Sequence, residues 1–457
     1  MLKINRIARR STITILLAIL LVAGFAFFVA EFIMEADTWV ISPGSPHVYN
    51  ATNIGTGTVI ERDGTLLLDM GDVRSYSTSE TLRKSTLHWL GDRDGYISAP
   101  ILANYAAEIA GYDKISGLYS YGDTSGIAKL TLSGKVQNAA LEAMGGYSGS
   151  VAVYNYKTGE LLCAVTTPTF DPDHVPDIDG DATGAYEGVY LNRFVQSVYI
   201  PGSIYKIVTL AAALDTVSDI EEQTFYCDGS YTIGADEITC EAGHGTQTLQ
   251  QAFRNSCNCA FGEIALQVGA ENMQRYSEAF GLTEGVAFDG ITTAAGNYNV
   301  VGTADANLAW SGIGQYTDQV NPCAFLTFMG AVASGGKGVN PYLVEEITVG
   351  NSTTYRADVV TRDRIMSEKT AKKLQSYLRA NVTERYGDWN FPELSVCAKT
   401  GTGEVGEGIK PNAMLAGFVQ NEEYPLAFIV FVENAGYGAN VCIPIAAKVL
   451  EACKTVN

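Results

Sequence analysis

The chain has no Cys-x-x-Cys pair, only 4 histidines and little basic charge, and each shortage removes a class of protein. Without closely spaced cysteine pairs, zinc-ribbon and thioredoxin-type readings have no footing. The 30 Lys and Arg stand against 50 Asp and Glu, a net charge of −20 with a pI near 4.6. No basic surface is then available to neutralise phosphates, so nucleic acid is excluded as a partner. No internal repeat is visible. What remains is 457 residues, 47% hydrophobic and 18% charged, a globular composition. That length suggests two or three domains with cores large enough to need no disulfide or metal staple.

The nine cysteines are scattered: Cys163, Cys227, Cys240, Cys257, Cys259, Cys323, Cys397, Cys442 and Cys453. An odd number in an exported chain leaves at least one thiol free or paired with another chain. Cys163 and Cys397 sit in apolar runs and read as small buried hydrophobes. Cys227 and Cys240 bracket a polar, Gly-containing segment and are the best-placed pair for a disulfide.

One long hydrophobic run exists, from Ile13 to Ala30. Lys3, Arg6, Arg9 and Arg10 precede it, and Glu31, Glu35 and Asp37 follow. As a helix, Ser11 to Met34 is long enough to cross a bilayer core. The charge asymmetry places the N-terminus in the cytoplasm and everything after Glu35 outside. The competing reading is a cleaved signal peptide, for which Gly24-Phe25-Ala26 offers only a weak cleavage site. The expected organisation is a cytoplasmic tail (1–11), a transmembrane anchor (12–34), a small accessory or stalk domain (35–129) and a catalytic domain (130–457).

In the accessory region, Thr58-Val59-Ile60 and Leu66-Leu67-Leu68 read as strands joined by a turn at Arg62-Asp63-Gly64, with a helix around 99–110. Leu130 to Met144 has helical spacing and stops at Gly145-Gly146. Two strand-like runs follow, Ser150 to Tyr154 and Glu160 to Val165, with Lys157-Thr158-Gly159 at the turn. Helices are expected after Ser203, near 249–268 and over 370–381. Three β-prone runs close the chain, at 394–402, 413–420 and 426–432. The order of strand pair, helical middle and terminal strands predicts an α+β fold with one mainly antiparallel sheet flanked by helices.

Three short stretches carry chemistry. In Pro201-Gly202-Ser203-Ile204-Tyr205-Lys206 the serine lies at a helix N-terminus, and a lysine three residues on shares its face. Serine becomes a nucleophile only when a base takes its proton, and lysine is that base only when its pKa is lowered. As a mere helix cap the stretch is poor, because a capping box prefers Glu or Gln where Lys206 stands. Ser334-Gly335-Gly336-Lys337 matches the same pattern, but a Gly-rich loop cannot hold the two side chains in register. In Arg254-Asn255-Ser256-Cys257-Asn258-Cys259, Ser256 offers a hydroxyl relay and Asn258 an amide for peptide carbonyls. Read alone, that stretch is an ordinary helix–helix turn. Lys399-Thr400-Gly401-Thr402 ends an apolar run, where a cation and two hydroxyls can grip a carboxylate and Gly401 lets a substrate backbone lie close. Lys157-Thr158-Gly159 has the same letters but sits at a hairpin turn.

The three stretches, in that order, resemble the motif set of the penicillin-recognising serine acyltransferases. The resemblance extends over 130–457 and includes Pro168-x-x-Asp171-Pro172, His244-Gly245 and the segment from Gly314-Gln315 to Asn340-Pro341. The layout is similar to class B penicillin-binding proteins, although the region before 130 is short for one. It is too short for the glycosyltransferase domain of a bifunctional relative. Two other readings remain: a hydrolase of the D,D-carboxypeptidase or β-lactamase type, and a non-catalytic penicillin sensor or scaffold.

The resemblance implies a peptidoglycan D,D-transpeptidase fold and activity, with Ser203 attacking the penultimate D-Ala carbonyl of a stem peptide. It implies Lys206 as the base, and Ser256 with Lys399 as the proton path to the leaving amine. Asn258, Thr400, Gly401 and Thr402 become substrate contacts, and the N–H groups of Ser203 and Thr402 an oxyanion hole. β-Lactams would acylate the same serine. A membrane glycosyltransferase is an expected partner, and neither metal nor organic cofactor is required. Cys257 and Cys259 flank Asn258 and, with Cys240 and His244, supply zinc ligands in number. They lack a recognised spacing, so no metal is assigned.

Overall fold

Five of the apolar runs become strands that are buried along most of their length, and this dictates the architecture. Leu161–Thr167, Gly149–Asn155, Leu426–Val432, Asn412–Val419 and Val396–Gly403 form, in that spatial order, a five-stranded sheet with every pair antiparallel. An antiparallel sheet commonly leaves one face to water and shows alternation. Here the strands read as near-continuous hydrophobic runs because helices cover both faces. Gly134–Met144 and Gly438–Cys453 pack on one face, and Pro322–Ala333 on the other. Behind Pro322–Ala333 lies a helical layer that includes Lys206–Thr216 and Asn258–Val268. The α+β fold expected from the element order is the fold observed.

The computed structural model describes residues 2–40, 49–50, 53–71, 73–97, 99–113, 118–119 and 125–456. The N-terminal helix runs from Leu2 to Val40. Its segment Ile7–Ala36 is long and apolar enough to cross a membrane, at about 45 Å for 30 residues. Its large apolar side chains from Ile13 to Phe28 stand exposed.

The predicted hairpin at Arg62-Asp63-Gly64 forms, with the Glu61 N–H on Thr65 O and the Asp63 carboxylate accepting from the Thr65 N–H. Its strands do not stand alone. They belong to a six-stranded sheet ordered Ser352–Arg356, Val344–Val349, Ile127–Leu130, Thr58–Ile60, Leu66–Asp69 and Ser75–Tyr76. The position expected to divide the accessory and catalytic regions, 129/130, lies within the strand Ile127–Leu130 of that shared sheet. The helix expected from Leu130 accordingly begins at Gly134, because Ile127–Leu130 pairs with strands on both sides. Helix Glu80–Leu90, capped by Ser79, ties the two regions together. Trp89 donates to Ala164 O (2.7 Å), and Arg83 grips Asp171 through two bonds of 2.6 and 2.7 Å.

The helix expected over 249–268 is broken in two. Leu249–Arg254 starts in a complete capping box between Thr248 and Gln251, and Asn258–Val268 follows a turn in which Ser256 has φ +57°. A non-glycine residue in the left-handed region costs about 1–3 kcal/mol, and such strain collects at functional turns.

Candidate active site

Three elements deliver the site. The first is a 3₁₀ turn, Gly202–Tyr205, that runs into helix Lys206–Thr216. The turn is held by its glycine. Gly202 has φ +51°, donates to Gly314 O (2.8 Å), and a Cβ placed there would lie 2.2 Å from Thr402 O. The second is the strained turn at Ser256 between its two helices. The third is Val396–Gly403, the edge strand of the five-stranded sheet, packed directly against the 3₁₀ turn.

Where these meet, the hydroxyls and amines form one chain. Lys206 Nζ lies 3.0 Å from Ser203 Oγ, 2.7 Å from Ser256 O, 3.3 Å from Ser256 Oγ and 2.7 Å from Asn258 Oδ1. Lys399 Nζ donates to Ser256 Oγ and to Thr400 O, each at 2.9 Å. The serine hydroxyl at 256 thus stands between the two amines.

Both lysines are fully buried, with no carboxylate bonded to either amine among the described residues. Burial lowers the Lys206 pKa to about 8. Lys399 is pushed well below its ordinary value by burial, then by the neighbouring charges of Lys206 and Arg385. A neutral lysine has two N–H donors and one lone pair. Ser256 O and Asn258 Oδ1, the two nearest acceptors, take the donors and leave the lone pair for the Ser203 hydroxyl. That is the arrangement a general base requires.

Every residue expected at the site from the sequence is here. Ser203, Lys206, Ser256, Asn258 and Lys399 share the network, and Thr400, Gly401 and Thr402 line the same cleft of about 270 Å³. Lys157-Thr158-Gly159 forms its hairpin turn elsewhere, and Lys337 is exposed at the start of a short strand. Two contacts differ from expectation. The Asn258 amide, foreseen as a substrate contact, is engaged within the protein: Oδ1 holds Lys206 and Nδ2 donates to Thr239 O (2.9 Å). A Cβ on Gly401 would meet Pro201 O at 2.9 Å and Ile204 Cγ2 at 3.0 Å, so the chain's own nucleophile turn already requires that glycine.

Tyr386 was not legible in the sequence. It ends the π-helical turn Val382–Tyr386, accepts from the Thr400 N–H (3.1 Å) and shares a 3.0 Å hydrogen bond with Thr400 Oγ1. Arg385, beside it, lines the cleft and donates to Arg254 O. Nothing in the local pattern marks either residue. Gln315, in a segment that carried the family resemblance, points its amide at Thr402 O (3.4 Å).

One further group of donors lies at the cleft edge. Cys227, Cys240, His244 and Cys257 bring their ligand atoms within 4.8 Å of one another. The disulfide expected between Cys227 and Cys240 is not formed, and all nine thiols are free.

A family model for the penicillin-binding protein transpeptidase domain matches residues 149–451. Stage V sporulation protein D of Bacillus subtilis is 28% identical over 345 residues, which cover 70% of this chain and 52% of that protein. The chain therefore spans about half the length of that relative. The peptidoglycan D,D-transpeptidase PbpA of Mycolicibacterium smegmatis is 29% identical over 332 residues, 67% of each chain. Among solved structures, the imipenem acyl-enzyme complex of penicillin-binding protein A from M. tuberculosis superposes with a TM-score of 0.75. It covers 88% of this chain and 98% of that one at 23% identity, a likeness of fold.

Proposed function

This chain belongs to the penicillin-binding protein transpeptidase family, and from that membership we propose that it is a membrane-anchored peptidoglycan D,D-transpeptidase acting through a Ser203 acyl-enzyme. The observation that carries the reading is the hydrogen-bonded chain Ser203–Lys206–Ser256–Lys399, with its two buried amines.

Lys206, neutral and oriented by Ser256 O and Asn258 Oδ1, takes the Ser203 proton as Oγ attacks the penultimate D-Ala carbonyl. The N–H groups of Ser203 and Thr402 receive the oxyanion. The proton passes through Ser256 to the departing amine as the C–N bond breaks and D-Ala leaves. Lys399 holds the Ser256 hydroxyl in line through an N–H donor, and Thr400 and Thr402 bind the substrate carboxylate. An amine from a neighbouring stem peptide then attacks the ester, loses its proton along the same path and frees Ser203. A β-lactam carbonyl enters by the same first step.

The helix Leu2–Val40 anchors the protein, with the N-terminus cytoplasmic and the cleft outside. A membrane glycosyltransferase supplying nascent glycan strands is the partner this chemistry needs.

The test is covalent labelling by a fluorescent penicillin. Wild type labels and Ser203→Ala does not. Product release from a D-Ala-D-Ala peptide should depend on an added amine acceptor, and rapid release without one would identify a hydrolase instead.

A further inference from the structure

The cluster at the cleft edge has an origin in four separate elements. Cys227 ends the strand Thr224–Cys227, and Cys240 follows the hairpin strand Asp236–Thr239. His244 precedes the strand Gly245–Thr248, and Cys257 caps helix Asn258–Val268. Coordination of a zinc ion in tetrahedral geometry needs Zn–S of about 2.3 Å and Zn–N of about 2.0–2.1 Å. The corresponding edges are about 3.8 Å between thiols and about 3.6 Å between thiol and imidazole. Cys240 Sγ and His244 Nδ1 lie 3.6 Å apart, and no two ligand atoms of the four are more than 4.8 Å apart. We propose that Cys227, Cys240, His244 and Cys257 form a structural zinc site beside the active site.

Three further observations fit. The backbone N–H groups of Asn258 and Ala260 point at sulfur, Asn258 N to Cys240 Sγ (3.3 Å) and Ala260 N to Cys257 Sγ (3.5 Å). N–H groups so aimed, at the start of a helix, favour thiolates. The segment carrying three of the ligands is two separate two-stranded sheets of four-residue strands, a kind of structure that is marginal without support. A metal would staple both sheets to the helix. Cys240 and His244 also line the open cleft, which gives the ion an entry path. Disulfides answer the geometry less well: Cys259 adjoins the cluster, so the four thiols could pair, but any pairing leaves the imidazole of His244, 3.6 Å from Cys240 Sγ, without a role. The donor set of soft sulfur and imidazole selects zinc over calcium or magnesium.

The site bears on catalysis by position. Cys257 stands between Ser256 and Asn258, and the segment ending at Cys240 carries Thr239 O, which holds the Asn258 amide. Zinc bound to these sulfurs would keep the left-handed turn at Ser256 in place. On binding, each of the three thiols gives up its proton to solvent and donates an electron pair to the ion.

The full-length protein, purified in detergent, should contain about one zinc per chain by elemental analysis. Cys240→Ser and His244→Ala should lose it, whereas Cys259→Ser, whose thiol adjoins the cluster outside the set of four, should keep it. Because those variants could misfold, metal-stripped wild type is titrated with Co²⁺. The expected result is a thiolate charge-transfer band in the near ultraviolet and the visible bands of tetrahedral cobalt. Stripping should slow penicillin acylation roughly 10- to 100-fold, with recovery on adding Zn²⁺. A wild-type protein that labels with penicillin yet binds neither metal overturns the site while leaving the transpeptidase reading intact. An intact mass showing these cysteines oxidised in pairs overturns it as well. Zinc at full occupancy without penicillin labelling would support the site and refute the transpeptidase reading alone.

Discussion

Lys206 can lose its proton without losing its place. Its two closest partners, Ser256 O and Asn258 Oδ1, are acceptors that hold a neutral amine as well as a charged one. Acylation should therefore rise with pH through about 8, the value to which burial lowers this lysine. Well below that pH the rate should fall roughly tenfold per unit, because each unit removes about nine-tenths of the neutral base. Single-turnover labelling between pH 6 and 9, a range of about 3 units around the value above, measures this directly. A flat profile would exclude Lys206 as the base. Lys206→Ala should slow acylation roughly 10²- to 10⁴-fold, the usual contribution of a general base. It also opens a cavity and leaves Ser256 O and Asn258 Oδ1 without their donor, so the unfolding midpoint should fall as well.

At the scale of the element, the nucleophile turn and the edge strand are one unit. Gly401→Ala inserts a methyl group 2.9 Å from Pro201 O and 3.0 Å from Ile204 Cγ2, and the turn carrying Ser203 must move. Overpacking of this kind costs about 1–3 kcal/mol. Thermal unfolding should register that modest loss, while labelling falls out of proportion to it, since Oγ is displaced from Lys206. Equal losses in both would mean that the glycine serves stability alone. The broken helix at Ser256 follows the same logic. Its capping box and the cap at Cys257 set where each half begins, and the strained residue between them carries the relay hydroxyl.

At the scale of the molecule, the buried pair Arg83–Asp171 joins helix Glu80–Leu90 to the catalytic domain across 88 residues of chain. The Arg83 guanidinium, assisted by His174 and the Asp173 N–H, holds the Asp171 carboxyl well below the usual carboxylate range. Its folded pKa is depressed, so its contribution is complete above the unfolded value of about 3.9 and is lost as pH falls through the folded one. Asp171→Asn leaves the buried Arg83 with only the 3.4 Å contact to Asp173 and should cost about 3 kcal/mol at neutral pH, the low end for breaking a buried pair. Denaturant melts at several pH values should show the gap between wild type and variant closing below about pH 4. A constant gap would mean that shape, not charge, holds the two regions together. Removal of residues 2–40 should release the protein from membranes with its penicillin labelling retained.

Much of this was written locally. The i, i+3 spacing of Ser203 and Lys206, the turn at Arg62-Asp63-Gly64 and the long apolar N-terminal run depend on neighbours in sequence, where helix pitch, turn chemistry and hydropathy act. The family motifs extended that reading to Ser256, Asn258 and Lys399. Other features depend on residues that meet only after folding. Lys399 reaches Ser256 across 143 residues, and Tyr386 reaches Thr400 from a π-turn that no periodicity announces. Leu130 reads as the first residue of a helix, yet it closes the strand Ile127–Leu130, because the partners of that strand lie far off in sequence at Thr58–Ile60 and Val344–Val349. The sequence by itself determined which chemical groups were available and the order of the elements that carry them. Tertiary structure decided which groups share a dry space, and with that the lowered pKa of two lysines and the convergence of three thiols with an imidazole, because burial and distance are properties of the folded chain.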